Sequence, residues 1–313
     1  MGSTRMLQTS LPYKRVVDLA FKKFKPTKLN PSSPSNPVVV NLHGLFGSGR
    51  SFSAVGRRMA QDLNTEVYNL DLRNHGQSPL ARPYNYLTLT EDVVNFLHHQ
   101  FGGERPISIV GFSLGGRVGL LTTLSRRINI VKCISIDMPP YRVSSLSDVI
   151  MQNYSTMLKL CDRTLRVEKG VKSWKDDILK VFRALPANTD PGVALYFAQG
   201  FLEVKKNEEP YDPATDVDPY VDYKLPLCEM TDLIDIVKDC PAIEMLEPGK
   251  FKRTTQASVL FMRGLQSPLF RDSFSALSDF YPNHSVVEFN TGHIIMNEAP
   301  EQCYKSCIEH LKD

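Results

Sequence analysis

The sequence predicts an α/β fold: a mostly parallel, doubly wound sheet carrying a helical cap insertion. Two observations support this. Short apolar runs alternate with amphipathic stretches up to residue 138 and again from 257, the pattern of parallel strands joined by helical crossovers. Between them, residues 139–256 lose that rhythm. They hold helical segments such as "WKDDILKVFRAL" and proline-rich connections such as "EEPYDPATDVDPY". The expected division is a basic N-terminal segment over 1–15, a core over 16–138 and 257–313, and the helical insertion over 139–256.

The elements follow in order. "RVVDLAFKKF" alternates as a strand does. "NPSSPSNP", 30–37, is a turn-rich break. "VVVNL", 38–42, is a continuous apolar run and fits a buried parallel strand. Phe52, Val55, Met59 and Leu63 then keep one helical face. "TEVYNLDL", 65–72, is a strand. Residues 88–101 form a helix, with Thr88 as its N-cap and Glu91 three residues on. "PISIVG" is a strand, "LGGRVGLLTTLSRR" a helix and "INIVKCISID", 128–137, a strand. After the insertion come the strand "ASVLFMRG", 257–264, a helix over 271–280, the strand "SVVEF" and a last helix over 298–312.

Bulk properties narrow the function. A net charge of +3 is too small to argue for a nucleic-acid partner. No apolar run approaches the ~18–20 residues of a membrane span, so no transmembrane segment is expected. The six cysteines (133, 161, 228, 240, 303, 307) show no C-x-x-C pair and no metal-ligand spacing. They fit reduced thiols in a non-oxidising compartment, and no metal site is expected. The first 30 residues carry Arg5, Lys14, Arg15, Lys22, Lys23, Lys25 and Lys28 against the single acid Asp18. That composition fits a mitochondrial presequence. It equally fits a basic edge strand with a frayed tail in a cytoplasmic protein.

The chemistry centres on "SIVGFSLGGRVGLL", 108–121. Gly111 and Gly115 flank Ser113 at −2 and +2, between a predicted strand and a predicted helix. In a nucleophile elbow those glycines let strand and helix pass closely, and the strained turn exposes the serine oxygen. A serine hydroxyl needs a base. Of seven histidines, His98 and His99 fall on a helix surface and His284 opens a strand. His43 and His75 lie in glycine-containing loops. His293 follows the last strand, in the chain order expected of a base. The base in turn needs a carboxylate. The loop "RGLQSPLF" offers Ser267 but no acid before Asp272. Asp137 ends the preceding core strand, 24 residues after Ser113. Asp137 is preferred, with Asp272 as the alternative, because Asp272 fits a helix start. Asp71, in "DLRNHGQS", fits structural support near the site. Oxyanion donors are expected at the backbone N–H of Leu114 and, from "HGLFGS", of Leu45.

Together "NLHGLFGSGRSF", "DLRNHGQSP", "GFSLGG" and "NTGHIIMNEAPE" resemble the α/β-hydrolases. Within them the motifs resemble a narrower group: abhydrolase-domain-11-type proteins, small bacterial esterases and the ethanol acetyltransferases of yeast mitochondria. The resemblance covers roughly residues 16–312. It implies Ser113 as nucleophile, His293 as base and Asp137 as acid. It also implies acetyl-CoA as a possible acyl-donor substrate, ethanol as acceptor, and esterase and thioesterase side activities. The expected partners are thus small-molecule esters, thioesters and alcohols, with no other cofactor. Lys205, Lys206 and Arg142 could face a CoA phosphate, although basic residues on helices are usually just solvated. This chain departs from the group at Phe112, where His is frequent, at Ile294, where an aromatic is frequent, and at "DMPP", where "SP" follows the aspartate. Phe112 and Ile294, with His43 and Phe46, are the expected pocket residues. Hydrolysis alone, or binding without catalysis, are the competing functions. An epoxide hydrolase or dehalogenase would need aspartate at the elbow, where this chain has Ser113.

Overall fold

The structure is a computed structural model and describes residues 11–27, 36–142, 167–168, 174–184, 220–221, 240–241, 243, 246–267, 269 and 277–312. Its main sheet has seven strands in the order β1-β3-β2-β4-β5-β8-β9. These are β1 (Phe21–Phe24), β2 (Val38–Leu42), β3 (Val67–Leu70), β4 (Pro106–Phe112), β5 (Asn129–Ile136), β8 (Ser258–Gly264) and β9 (His284–Phe289). Only β1, at one edge, runs antiparallel to its neighbour. The apolar runs of β2 and β3 are buried at every position, as strands covered on both faces must be.

Three helices cover the first half: α1 (Ser53–Asp62), α2 (Tyr86–Phe101) and α3 (Leu114–Thr123). A 3-10 turn, Gly49–Phe52, leads into α1. Helix α2 begins two residues before the predicted cap at Thr88. Its N-cap is Asn85, in an extended conformation, whose side-chain oxygen accepts from the Thr88 N–H at 2.9 Å. Thr88 Oγ1 donates to the same oxygen at 3.0 Å. Thr88 is therefore a donor to the cap rather than the cap.

The anchored chain starts earlier than the predicted core boundary at residue 16. Arg82 accepts from the Lys14 N–H at 2.8 Å, and its own N–H donates to Pro12 O at 2.9 Å. The guanidinium of Arg73 donates to Lys14 O at 2.8 Å, Arg15 O at 3.1 Å and Pro83 O at 3.0 Å. Arg73 also forms a two-point pair with Asp92, Nε–Oδ2 2.7 Å and Nη2–Oδ1 2.8 Å, both side chains being fully buried. Asp92 Oδ1 accepts a further bond from the Val17 N–H at 2.9 Å. One ion pair thus fastens the N-terminal segment to α2. Arg73→Met strands a buried carboxylate and should cost about 3–5 kcal/mol of stability in urea unfolding. The double variant Arg73→Met/Asp92→Leu removes the stranded charge but leaves Lys14 O, Arg15 O, Pro83 O and the Val17 N–H without these partners, so it should recover only a small part of that loss.

In the insertion, a helix α4 (Trp174–Arg183) matches the predicted amphipathic stretch. The structure adds what the sequence did not suggest, a ladder of β6 (Val167–Glu168) with β7 (Tyr220–Val221), antiparallel and separate from the main sheet. Two-residue strands are too short to show a periodicity. The end of the predicted insertion packs on the core. Lys252 N donates to Leu124 O at 2.7 Å, Arg126 N to Lys250 O at 2.9 Å, and Ile243, Leu246 and Phe251 join the buried cluster.

Three further helices complete the described fold: α5 (Leu277–Phe280), α6 (Ile295–Glu298) and α7 (Pro300–Lys312). Residues 271–276 of the helix predicted over 271–280 lie outside the described residues. The last helix, predicted over 298–312, is α7; the separate short α6 before it ends at Glu298, because Ala299 precedes a proline and leaves the helical region at φ −135°, ψ 59°. Pro300 then opens α7, where its missing N–H costs nothing. Among the described residues, no helix is long and apolar enough to cross a membrane.

Candidate active site

Three strand ends at one edge of the sheet deliver the site. At the end of β4, Ser113 has φ 51° and ψ −116°, a left-handed conformation that costs a non-glycine residue about 1–3 kcal/mol. Two backbone bonds hold it there: Ser113 N donates to Ile136 O at 3.0 Å, and Arg117 N donates to Ser113 O at 3.2 Å. The flanking glycines are required by close approach. A Cβ on Gly111 would stand 2.2 Å from Gly115 O, and one on Gly115 would stand 2.3 Å from Leu42 O and 2.6 Å from His43 O. Backbone cannot move aside as a side chain can. The strand, the helix start and the loop after β2 therefore close on one another only with glycine at both positions.

Asp137 ends β5 with φ 49° and is fully buried. Its N–H donates to Met262 O at 2.8 Å. The carboxylate accepts from the Gly264 N–H at 2.8 Å through Oδ1. Oδ2 accepts from the Ser267 hydroxyl and from His293 Nδ1, the latter at 2.6 Å. On its other side His293 Nε2 lies 3.0 Å from Ser113 Oγ. A carboxylate can only accept, so Nδ1 carries the proton and Nε2 presents its lone pair to the serine hydroxyl. The Ser113 side of the site is the more open: Ser113 is 8% exposed and the His293 side chain 27%.

The structure therefore brings together Ser113, His293 and Asp137 of the predicted residues. The alternative acid, Asp272, lies outside the described residues. His98 and His99 are exposed on α2, and His284 Nδ1 bonds Tyr281 O at 2.8 Å. Asp71 is structural as expected, accepting from the N–H of Gly49 at 2.7 Å and of Gln77 at 2.9 Å. Leu114 follows Ser113 as the first residue of α3, and Leu45 sits in the loop closed by a Gly47 N–H to Gly44 O bond of 3.0 Å. Among the described residues neither Leu45 N–H nor Leu114 N–H has an acceptor.

The predicted pocket residues are placed differently from one another. Phe112 is buried, its ring 5.1 Å from that of His293 at 35°, so it backs the imidazole. Phe46, with φ 67°, and Ile294 are also buried. His43 is not presented to a substrate, a correction to the expectation. It is fully buried, its Nε2 accepts from the Leu72 N–H at 2.9 Å, and its Nδ1 donates to Gly44 O at 2.8 Å. Its ring lies 4.8 Å from that of His75, another buried imidazole, whose Nδ1 bonds Arg73 O at 2.9 Å. Arg142 is exposed, and Lys205 and Lys206 lie outside the described residues.

The two imidazoles carry a pH dependence. Burial pushes His43 down to about 4 from the ordinary 6.5. Burial first, and then the neighbouring His43, push His75 well below its ordinary value. Both are neutral when folded and take a proton more readily when unfolded. Their contribution to stability is therefore complete above about pH 6.5 and is lost as pH falls, for His43 toward about 4. A span of about 2.5 units is worth about 3 kcal/mol for His43 alone. Urea unfolding should show stability falling between pH 7 and pH 4.5, with a shallower fall in His43→Gln.

Several supporting groups carried no sequence signal. The Gly264 N–H and the Ser267 hydroxyl fix the acid. The carboxylate of Glu298 accepts from the N–H groups on both sides of His293, Gly292 at 2.7 Å and Ile294 at 3.2 Å, and so shapes the base's loop. Arg117, fully buried on α3, donates to Pro139 O at 3.2 Å and Tyr141 O at 3.0 Å, where the chain leaves Asp137 for the insertion. Cys240 Sγ, where the chain returns, donates to Pro140 O at 3.0 Å.

The mostly parallel sheet thus places a serine, a histidine and an aspartate in hydrogen-bond sequence at one edge. The chain belongs to the alpha/beta hydrolase fold family, whose sequence model matches residues 37–300. It is similar to a probable alcohol acetyltransferase of Wickerhamomyces anomalus, 30% identical over 97% of this chain and 88% of that protein. It is likewise similar to ethanol acetyltransferase 1 of Kluyveromyces lactis, 30% identical over 96% of this chain and 81% of that protein. Among solved structures it superposes on a marine microorganism esterase with a TM-score of 0.72, at 18% identity over 94% of this chain and 99% of that one, a likeness of fold.

Proposed function

We propose that this protein is a serine-dependent alcohol O-acetyltransferase that carries an acetyl group from acetyl-CoA to ethanol through an acyl-serine. The observation that carries the reading is His293 bonded at once to Ser113 Oγ and Asp137 Oδ2. In the first half-reaction Ser113 Oγ attacks the thioester carbonyl and its proton passes to His293 Nε2. Asp137 stabilises the imidazolium. The oxyanion would be met by the N–H groups of Leu45 and Leu114, which have no acceptor among the described residues. As the tetrahedral species collapses, the CoA sulfur leaves with the proton from His293. In the second half-reaction the alcohol gives its proton to His293 and attacks the acyl-serine, and the ester departs as Ser113 regains its proton.

The catalytic side chains serve water as well as alcohol, so ester and thioester hydrolysis accompany transfer as side activities. The likeness to alcohol acetyltransferases over nearly the whole chain supports alcohol as the productive acceptor. Hydrolysis without synthesis is the second reading, and the shared fold of the marine esterase is compatible with it. A mitochondrial site of action is the first reading of the basic start, but Lys14 and Arg15 are bonded into the core and Lys22 and Lys23 lie on the edge strand β1, so the fold accounts for most of that basic composition. Fractionation of cells expressing the full chain tests that location, and exclusion from mitochondria would contradict it.

The acyl-serine is directly testable. After brief exposure to acetyl-CoA, mass spectrometry should find an acetyl group on the peptide containing Ser113, discharged faster on adding ethanol. An adduct elsewhere, or one that persists in Ser113→Ala, would refute the assignment.

A further inference from the structure

Ser267 lies on the loop after β8 and is 1% exposed. Its surroundings leave the hydroxyl little freedom. Ser267 N donates to Gly264 O at 3.0 Å, Leu265 N to Phe289 O at 2.8 Å and Gln266 N to Thr291 O at 2.9 Å, so the loop is fastened to the end of β9. The hydroxyl oxygen accepts from the Leu269 N–H at 3.2 Å. Its proton goes to Asp137 Oδ2, the same atom that accepts from His293 Nδ1.

Two donors thus share one carboxylate oxygen. Each donor to a carboxylate draws off negative charge and favours the ionised form. Charge taken up by the Ser267 hydroxyl is charge that does not stabilise a proton on His293. The other groups that bear on the pair are bound elsewhere. Gly264 N–H occupies Oδ1, Arg117 on α3 reaches this segment through Pro139 O, and Glu298 binds the N–H groups of Gly292 and Ile294 behind the imidazole.

From this geometry, and resting on the roles proposed above for Asp137 and His293, we propose that Ser267 is a positioning residue for the base. By donating to Asp137 Oδ2 it lowers the proton affinity of His293 and keeps the imidazole neutral, ready to accept the serine proton, at lower pH.

The test reads His293 itself. In the full chain labelled with 15N-histidine, the His293 imidazole is followed by NMR from pH 5 to 9, its signals being those missing in His293→Gln. Ser267→Ala should raise the titration midpoint by about half to one pH unit, and Ser267→Thr, which keeps the hydroxyl, should restore the wild-type value. The acid limb of kcat/KM for an acetyl ester should move upward with it. A folded Ser267→Ala protein whose midpoint is unmoved or lowered overturns the proposal. If alanine prevents folding, Ser267→Cys keeps the shape with a poorer donor and should give a smaller rise, with the same overturning result. Because the midpoint needs no turnover, failure of acetyl transfer in the wild type would defeat the proposed function without deciding this question.

Discussion

Ser113→Ala is expected to lower kcat for acetyl transfer by about a million-fold while the protein stays folded. Alanine removes the only atom of the elbow that can form the acyl intermediate. Its Cβ stays in the same strained conformation, so stability should change little. His293→Ala should cost nearly as much, and the double variant should be no worse than either, because a serine without its base and a base without its serine are equally idle. Single-turnover assays on the three variants check this. Multiplicative losses would show that the two side chains do not act as one unit.

Asp137→Asn is expected to cost about 10,000-fold in kcat with KM little changed. The reason is specific to this site. The Gly264 N–H can only donate, and it faces one carboxylate oxygen at 2.8 Å. In the variant the amide oxygen must stay there, which turns the amide NH2 toward His293. The imidazole would then accept at Nδ1 and carry its proton on Nε2, where it cannot take one from Ser113. Ser267, whose hydroxyl can rotate to accept from the amide, does not prevent the turn. The 15N shifts of His293 should report the exchanged tautomer. A folded Asp137→Asn protein retaining more than a tenth of wild-type kcat would show that the acid lies elsewhere.

How much was legible in the sequence depended on how local the signal was. The strand Val38–Leu42 was predicted at its observed bounds, because a buried parallel strand is written as an unbroken apolar run. The elbow was legible because its glycines and serine sit within five residues of one another. The start of α2 was misplaced because both Asn85 and Thr88 are good capping residues, and only the observed backbone shows which side chain accepts. Asp137 was preferred over Asp272 from its place at a strand end, and the strand order, with β5 beside β8, shows why residues 137, 264 and 267 meet. Gly264, Ser267 and Glu298 act through contacts that have no pattern in the chain. His43 was read as a pocket residue because a glycine-flanked loop histidine looks available. Its burial against Leu72 and His75 is a tertiary fact.

The most direct test supplies the purified protein with acetyl-CoA and ethanol and follows free CoA, acetate and ethyl acetate together, with Ser113→Ala as control. Ethyl acetate forming faster than acetate, both vanishing in the variant, is the result this account predicts. Acetate alone would make the protein a hydrolase, and ethyl acetate formed equally well by Ser113→Ala would contradict the account altogether.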